Sequence, residues 1–551
     1  MKILKKLGCC LLSAMLCMSV VSCSRGTGTG STGGGPEDDP PPTDRVEEYS
    51  FSTVFLDGVE KTLDVYSEDT AHEDGCVTFN VSSRIGDKNY LKFEIATDVD
   101  LVGYINYYST EDSVVTNSEK FFIKAGSKQF TTFLDAFREG ANGAFSKVIS
   151  TVSFQSVDDT KEGKFTFKSL GVSDRTLDTH EQWTITNGDM VLGTSAFYGG
   201  SITYLEKLDQ DVYEYIDFNG DMVIDRYVDP DYDAAEVVSD KVNFVNIYDL
   251  GREIQPSYYS GVGPANGYDP KYEPDEVYQG NTADPLYNPI QCGDYGGHSP
   301  QIIDYTLKED YLYIKMKAQE WFFTKNIQAN GYIEVTYSFD EGGALLVDNS
   351  YTDFSCFKGE WSLGALTQET PATYFVYPLN YFYCETKQGT IYDNNVSSIS
   401  SGHEAKTSKN SNVSGDYYYN IGNKYMQNDW CAFVNENRFG VGIYMPNADT
   451  YFASRGVKSN NYYRYDANRR YVDKFFNFSA DEIVPSYAAA NYNYVCPGVN
   501  RKMVDFVTLS YGYALYIGDT DEMRSVFTTL DNNGTISNSS LADTESSWPK
   551  K

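Results

Sequence analysis

Histidine is scarce, with four in 551 residues, and none sits in an HExxH pattern or beside a CxxC pair. Zinc proteases and zinc-ribbon modules therefore lack their ligands. Basic residues are few as well: 44 Lys plus Arg stand against 78 Asp plus Glu, a formal charge of −34 with a pI near 4.4. Such a chain repels a phosphate backbone, which argues against nucleic acid as a partner. No Walker loop, βαβ alternation or Ser-His-Asp order is found, and this removes the usual support for nucleotide-binding folds, NTPases and serine hydrolases. No fixed period of roughly 20–50 residues recurs, against propellers and solenoids. What is abundant is aromatic. Hydrophobic residues make up 41% and aromatics 15%, too apolar for a disordered acidic chain. Tyr numbers 47 against 31 Phe, giving rings whose apolar faces and hydroxyls suit polar ligands such as sugars. Most individual tyrosines are expected at the solvent edges of sheets. The length has room for two or three domains.

At the N-terminus, Lys2, Lys5 and Lys6 precede an apolar stretch from Leu7 to Val21, too short for a mature bilayer span. This is the basic-then-apolar plan of an export signal. It ends Val20-Val21-Ser22-Cys23, which resembles the lipobox of bacterial lipoproteins; the resemblance implies cleavage after residue 22 and acylation of Cys23. Loss of three lysines and no acid would then take the charge from −34 to −37. Residues 23–47 follow as a Gly-, Ser- and Pro-rich tether, stiffening at Pro40-Pro41-Pro42. A lipid anchor at the outer membrane, holding a body off its surface, is the expectation. Beyond the signal and Cys23, six cysteines remain at spacings too wide for zinc pairs: Cys76, Cys292, Cys356, Cys384, Cys431 and Cys496. Mostly buried free thiols are expected, with at most one or two bridges.

Residues 48–174 alternate with period two in segments such as VTFNVSS, YLKFEIAT and GKFTFKSLGV, which predicts an antiparallel β-sandwich of jelly-roll type, with one helical interlude over 131–138. The length suits a carbohydrate-binding module or a plain packing domain. From 175 to 530 the pattern stays β but the segments lengthen, and DTDEMRSVFTTL predicts a short helix before a polar tail, 531–551, expected to fray. The segments NGDMVLGTSAFYGGSITYLEKL, YIEVTYSFDEGGALLVDNSYTDFS, QETPATYFVYPLNYFYC and NDWCAFVNENRFGVGIYMPNADTYFASRG resemble the galactose-mutarotase-like super-sandwich. That resemblance implies an all-β fold and membership among sugar epimerases, glycoside hydrolases or polysaccharide lyases. Together with the lipobox it resembles a polysaccharide-utilisation lipoprotein of a Bacteroides-type bacterium.

Four places carry candidate chemistry. In the first, Asp249, Arg252, Glu253, Gln255, Tyr258 and Tyr259 crowd one run. Arg252 offers a fork of donors to a carboxylate or sugar hydroxyls, Gln255 a hydrogen bond to hydroxyls and Tyr258 or Tyr259 a pyranose platform; Asp249 or Glu253 would be an acid or base if burial raised its pKa. The bland alternative is a surface ion pair. In the second, Gln291, Asp294 and His298 share a Gly-rich loop, and His298 is the histidine best placed to exchange a proton near neutrality. In the third, Glu320 beside Trp321 and Glu369 before Pro371 supply carboxyl groups. Glycoside hydrolysis needs two of these, about 5–5.5 Å apart for retention or about 6.5–9.5 Å for inversion. In mutarotase-like enzymes a glutamate is usually the base and a histidine protonates the ring oxygen; no local motif carries those roles across, so Glu369 with His298 is a chemical pairing only. In the fourth, Asp217, Asn219, Asp221 and Asp225 flank Gly220 and offer oxygen ligands to Ca²⁺, or simply form a solvated acidic loop. No cofactor is required by this reading.

The expectation is a lipid-anchored carbohydrate-active protein, foremost a glycoside hydrolase with paired carboxyl groups, acting on a neutral poly- or oligosaccharide. A non-catalytic surface glycan-binding protein and a polysaccharide lyase are the alternatives.

Overall fold

The computed structural model of the chain describes residues 49–66, 76–109, 117–134, 147–158, 163–175, 181–208, 243–246, 253–259, 289–294, 298–321, 328–354, 366–376, 379–393, 417–456, 492–501 and 506–542. They form an all-β protein of antiparallel sheets with one long helix.

Residues 52–173 make a two-sheet sandwich. One sheet runs Ser52–Leu56, Gly163–Ser173, Tyr90–Thr97, Gln129–Phe133, with Glu60–Leu63 also on Gly163–Ser173; the other runs Val77–Gly86, Lys147–Ser156, Leu101–Ser109, Asn117–Ile123. Alternate residues of each sheet turn inward, so Phe93 and Phe167 meet Phe79, Phe121 and Phe154 across the gap at centroid distances of 5.1–6.4 Å. The helical interlude expected at 131–138 is corrected at its start, where Thr131 to Phe133 lie in the strand Gln129–Phe133, paired with Tyr90–Thr97; residues 135–138 lie outside the described residues. Its buried Phe130, Thr132 and Phe133 face the core or the adjoining sheet, and that burial outweighs any local helical preference.

The remaining chain builds a hairpin sheet of Gln182–Thr186, Met190–Ser195 and Ile202–Lys207 and one fifteen-stranded sheet. In the latter, Tyr311–Glu320, Gln328–Phe339, Leu345–Asp353 and Thr508–Asp519 are consecutive neighbours, while Pro289–Gln291, Gln255–Tyr259, Leu366–Phe375 and Tyr492–Arg501 continue from the other side of Tyr311–Glu320. Tyr258 and Tyr351 stand four strand steps apart along this sheet, roughly 19 Å if it were flat. Their rings nevertheless stack at 4.5 Å, so the sheet curls over and its two arms enclose a core.

Many tyrosines are deeper than the surface-edge expectation. Tyr204, Tyr351 and Tyr383 are among the largest fully buried side chains, and each hydroxyl bonds the carboxylate two residues on: Glu206 at 2.6 Å, Asp353 at 2.8 Å and Glu385 at 2.9 Å. Positions i and i+2 share one strand face, so a Tyr-x-acid pair satisfies its own polar ends.

The predicted helix is Thr520–Asn533. Asp519 caps it in a reciprocal box with Glu522, Gly534 ends it at φ 58°, and Met523, Phe527 and Leu530 are buried. The tail after it differs from expectation as far as residue 542. Asn538 is buried and its amide bonds both Gly512 backbone groups and the Pro446 carbonyl, and Leu541 joins the core. Of the six cysteines, the five described ones are free thiols, and Cys356 lies outside the described residues.

Candidate functional site

Four segments meet at one pocket. The hairpin turn brings Phe197, Tyr198 and Ser201; the start of the Gln255–Tyr259 strand brings Glu253 and Gln255; a loop brings Cys292, Gly293, Asp294 and His298; and Trp321 follows the strand Tyr311–Glu320. The pocket is small and partly open: its cavity volume is about 10 Å³, within about 260 Å³ of non-atom space that includes open solvent. Gly199 and Gly200 take φ of 60° and 78°, which lets the hairpin reverse and approach its neighbours closely. A Cβ on Gly199 would stand 2.8 Å from the Cys292 carbonyl oxygen. Ile202 and Ile254 then exchange backbone hydrogen bonds at 3.0 and 3.1 Å in an antiparallel bridge, which sets Ser201 opposite Gln255.

His298 is held from two sides. Its backbone N–H donates to Asp294 Oδ1 and its ring Nδ1 to Oδ2, both at 2.8 Å, and the Asp294 side chain is fully buried. A carboxylate accepts only, so Nδ1 carries the proton of this bond and Nε2 is left as the nitrogen for proton exchange. The Gln319 amide donates to the Ser299 carbonyl at 2.7 Å and fastens the loop to a long strand. Across the pocket the Gln255 amide is oriented by the Cys292 N–H, which donates to its Oε1 at 3.3 Å, so its Nε2 donates to Glu253 at 3.0 Å. Glu253 is almost fully buried. Burial pushes the Cys292 thiol up to about 12, with Glu253 adding to the rise and Ser201 opposing it, so at neutral pH it is a thiol and no nucleophile.

The structure thus gathers Glu253, Gln255, Asp294, His298 and Trp321, drawn from three separate places in the sequence. It does not bring Glu369 to them. Glu369 pairs in register with Ser257, four residues beyond Glu253 on the strand, which at about 3.3 Å per residue is roughly 13 Å from Glu253. That exceeds either glycosidase spacing for Glu369 with Glu253, and Glu369 is not among the residues that line the pocket with His298. Glu369 instead sits among Ser257, Tyr259 and Tyr494. Its carboxyl is enclosed, and burial raises its pKa although the three hydroxyls favour the charged form. Gln291 donates to Ser257 Oγ at 2.8 Å and belongs to this second cluster. Tyr259 is half-buried there, with its hydroxyl pKa raised by burial and by the Glu369 charge.

Tyr258 faces the other way from Tyr259, as strand neighbours must. It is fully buried between Tyr351 and Tyr511, so no ring face is left for a pyranose, and the platform role expected for it is corrected. Glu320 closes its strand with its backbone opposite Ile290. Cys23, Asp217, Asn219, Asp221, Asp225, Asp249 and Arg252 lie outside the described residues. Among the described residues there is no group of three or more His, Cys, Asp or Glu that could hold a metal ion, and no helix is long and apolar enough to cross a membrane. Sequence reasoning missed Phe197, Tyr198, Ser201 and Cys292 as pocket residues; the Gly-Gly turn was the signal that backbone comes close there.

Glu369 gives a prediction in pH. The folded chain raises its pKa, so folding favours the protonated form; that contribution is present below the ordinary carboxylate range, about 4, and is lost as pH rises through the folded value. Glu369→Gln keeps the neutral shape. Its melting temperature relative to the parent chain is expected to climb as pH rises above about 4; a flat or falling difference would mean that the carboxyl is buried as an anion.

A scan against protein-family models found no match, and a search of curated proteins found none either.

Proposed function

We propose that the chain is a carbohydrate-active enzyme that hydrolyses a glycosidic bond in a neutral glycan, with His298 and Glu253 as its proton-transfer pair. The observation that supports this reading is the buried Asp294 carboxylate fixing His298 at the wall of a pocket that also holds Glu253, Gln255 and Trp321. A histidine with one nitrogen tied to a buried carboxylate is held in a single orientation, and general acid or base work depends on that orientation. As imidazolium, His298 donates the Nε2 proton to the glycosidic oxygen while the bond to the anomeric carbon breaks. The Glu253 carboxylate takes a proton from the water that adds to that carbon. Gln255 keeps the carboxylate aimed, and Trp321 offers an aromatic face beside the bond. The charge of −34 favours a neutral substrate over a polyanion.

The curled sheet, whose arms stack Tyr258 on Tyr351, supports the kinship with galactose-mutarotase-like super-sandwiches read from the sequence. The lipobox at Cys23 supports a lipid-anchored body at the outer membrane. A test is incubation of the detergent-solubilised full chain with a panel of neutral and acidic polysaccharides, with products weighed by mass spectrometry. Products heavier by one water per cut are expected from neutral members. Unsaturated products would replace hydrolysis by elimination, and retention of a glycan without products would make this a binding protein.

A further inference from the structure

Ser201 lines the pocket and is 1% exposed. Its backbone is fully engaged: its N–H donates to the Tyr198 carbonyl at 3.0 Å, and its own carbonyl accepts from Thr194 Oγ1 at 2.5 Å. The hydroxyl is not. Ser201 Oγ is buried and meets no oxygen or nitrogen partner; the group it touches is the Cys292 thiol, a weak donor and weaker acceptor. A buried hydroxyl left wholly unsatisfied costs about 1–3 kcal/mol, and a thiol offsets only part of that. Alanine would avoid the cost, and the turn that presents the residue packs closely on the strand beneath it: a Cβ on Gly200 would meet Ile314 Cδ1 at 2.2 Å.

We infer that Ser201 is a specificity-determining ligand, its Oγ held for a hydroxyl of the substrate that enters beside it and Gln255. The inference rests on the proposed function of this pocket and adds the group that recognises the substrate there. A sugar hydroxyl both donates and accepts, so it satisfies Ser201 whichever way the serine proton turns. Ser201 stands opposite Gln255 because Ile202 and Ile254 pair antiparallel, and Gln255 holds Glu253, so the hydroxyl recognised is one close to the bond being cut. Cys292 beside Ser201 is a neutral thiol, and a sugar hydroxyl is a stronger hydrogen-bond partner than a thiol.

The test is Ser201→Ala in the detergent-solubilised full chain, read in two ways. Thermal unfolding without glycan is expected to show an unchanged or higher melting temperature, because an unsatisfied hydroxyl is removed. Steady-state kinetics on the neutral oligosaccharides of the panel are expected to show KM raised about tenfold, the loss of one hydrogen bond of about 1.4 kcal/mol. A lowered melting temperature would mean that the hydroxyl is structural, and an unchanged KM on a glycan the parent chain cleaves would mean that it meets only water; either overturns the inference and leaves the proposed hydrolysis standing. If the parent chain neither cleaves nor retains any glycan of the panel, the hydrolytic reading falls and this one with it.

Discussion

Replacing His298 by Asn is expected to lower turnover of a neutral glycan by about 10²–10⁴-fold while glycan affinity changes by no more than a few-fold. The reasoning runs through the Asp294 carboxylate. It is fully buried and accepts from both the backbone and the ring of His298, so the loop geometry does not depend on the imidazole alone. Asn at 298 keeps that backbone bond and a side-chain amide able to reach Asp294, so the pocket survives, but the amide cannot deliver a proton. Asp294→Asn is expected to lose activity as well, since an amide presents donor and acceptor faces to the ring and no longer selects one tautomer. Turnover unaffected by either change would place the chemistry elsewhere.

Replacing Lys317 by Met is expected to destabilise the chain by about 3–5 kcal/mol, the largest effect on stability foreseen. Lys317, on the strand Tyr311–Glu320, forms an ion pair with Glu119 of the N-terminal sandwich, and both side chains are more than nine-tenths buried. Their surroundings are apolar: Phe130, Tyr332 and Phe354 pack into the same cluster, which joins the sandwich to the large sheet. Removing the ammonium leaves a carboxylate in a place where it cannot be hydrated. The double variant Lys317→Met with Glu119→Leu is expected to recover most of the loss, because an apolar pair of similar volume has no charge to desolvate. Urea unfolding of the three variants measures this directly. Equal losses from the single and double variants would show that packing, and not the unpaired charge, sets the cost. Arg175 works at the same junction: its guanidinium donates to the Ile303 carbonyl at 2.7 Å and lies 4.8–6.0 Å from four aromatic rings.

The all-β class was legible because period-two alternation is a local signal, and the helix Thr520–Asn533 because its capping box and terminal glycine are local too. Asp294 and His298 were legible as partners for the same reason, being four residues apart in one loop. What sequence alone could not supply was register. Glu369 and Ser257 are opposite one another only because two distant strands pair with a bulge between Gln255 and Ser257, and nothing in either segment announces that alignment. The same applies to Ser201, whose neighbour Gln255 is brought in by the bridge between Ile202 and Ile254. Of Tyr258 and Tyr259, adjacent strand residues that point to opposite faces, only one could meet a ligand, and register decided that Tyr258 is the buried one. Thr131 to Phe133 failed differently, since a short run of mixed residues has no decisive period and tertiary pairing chose the strand.

The most direct test of hydrolysis at the His298 and Glu253 pocket is the mass of what the full chain releases from neutral glycans, measured beside His298→Asn. Products heavier by one water per cut from the parent chain, and almost none from the variant under the same conditions, are the expected result. Unsaturated products, a bound glycan that is never cut, or equal release by both proteins would contradict it.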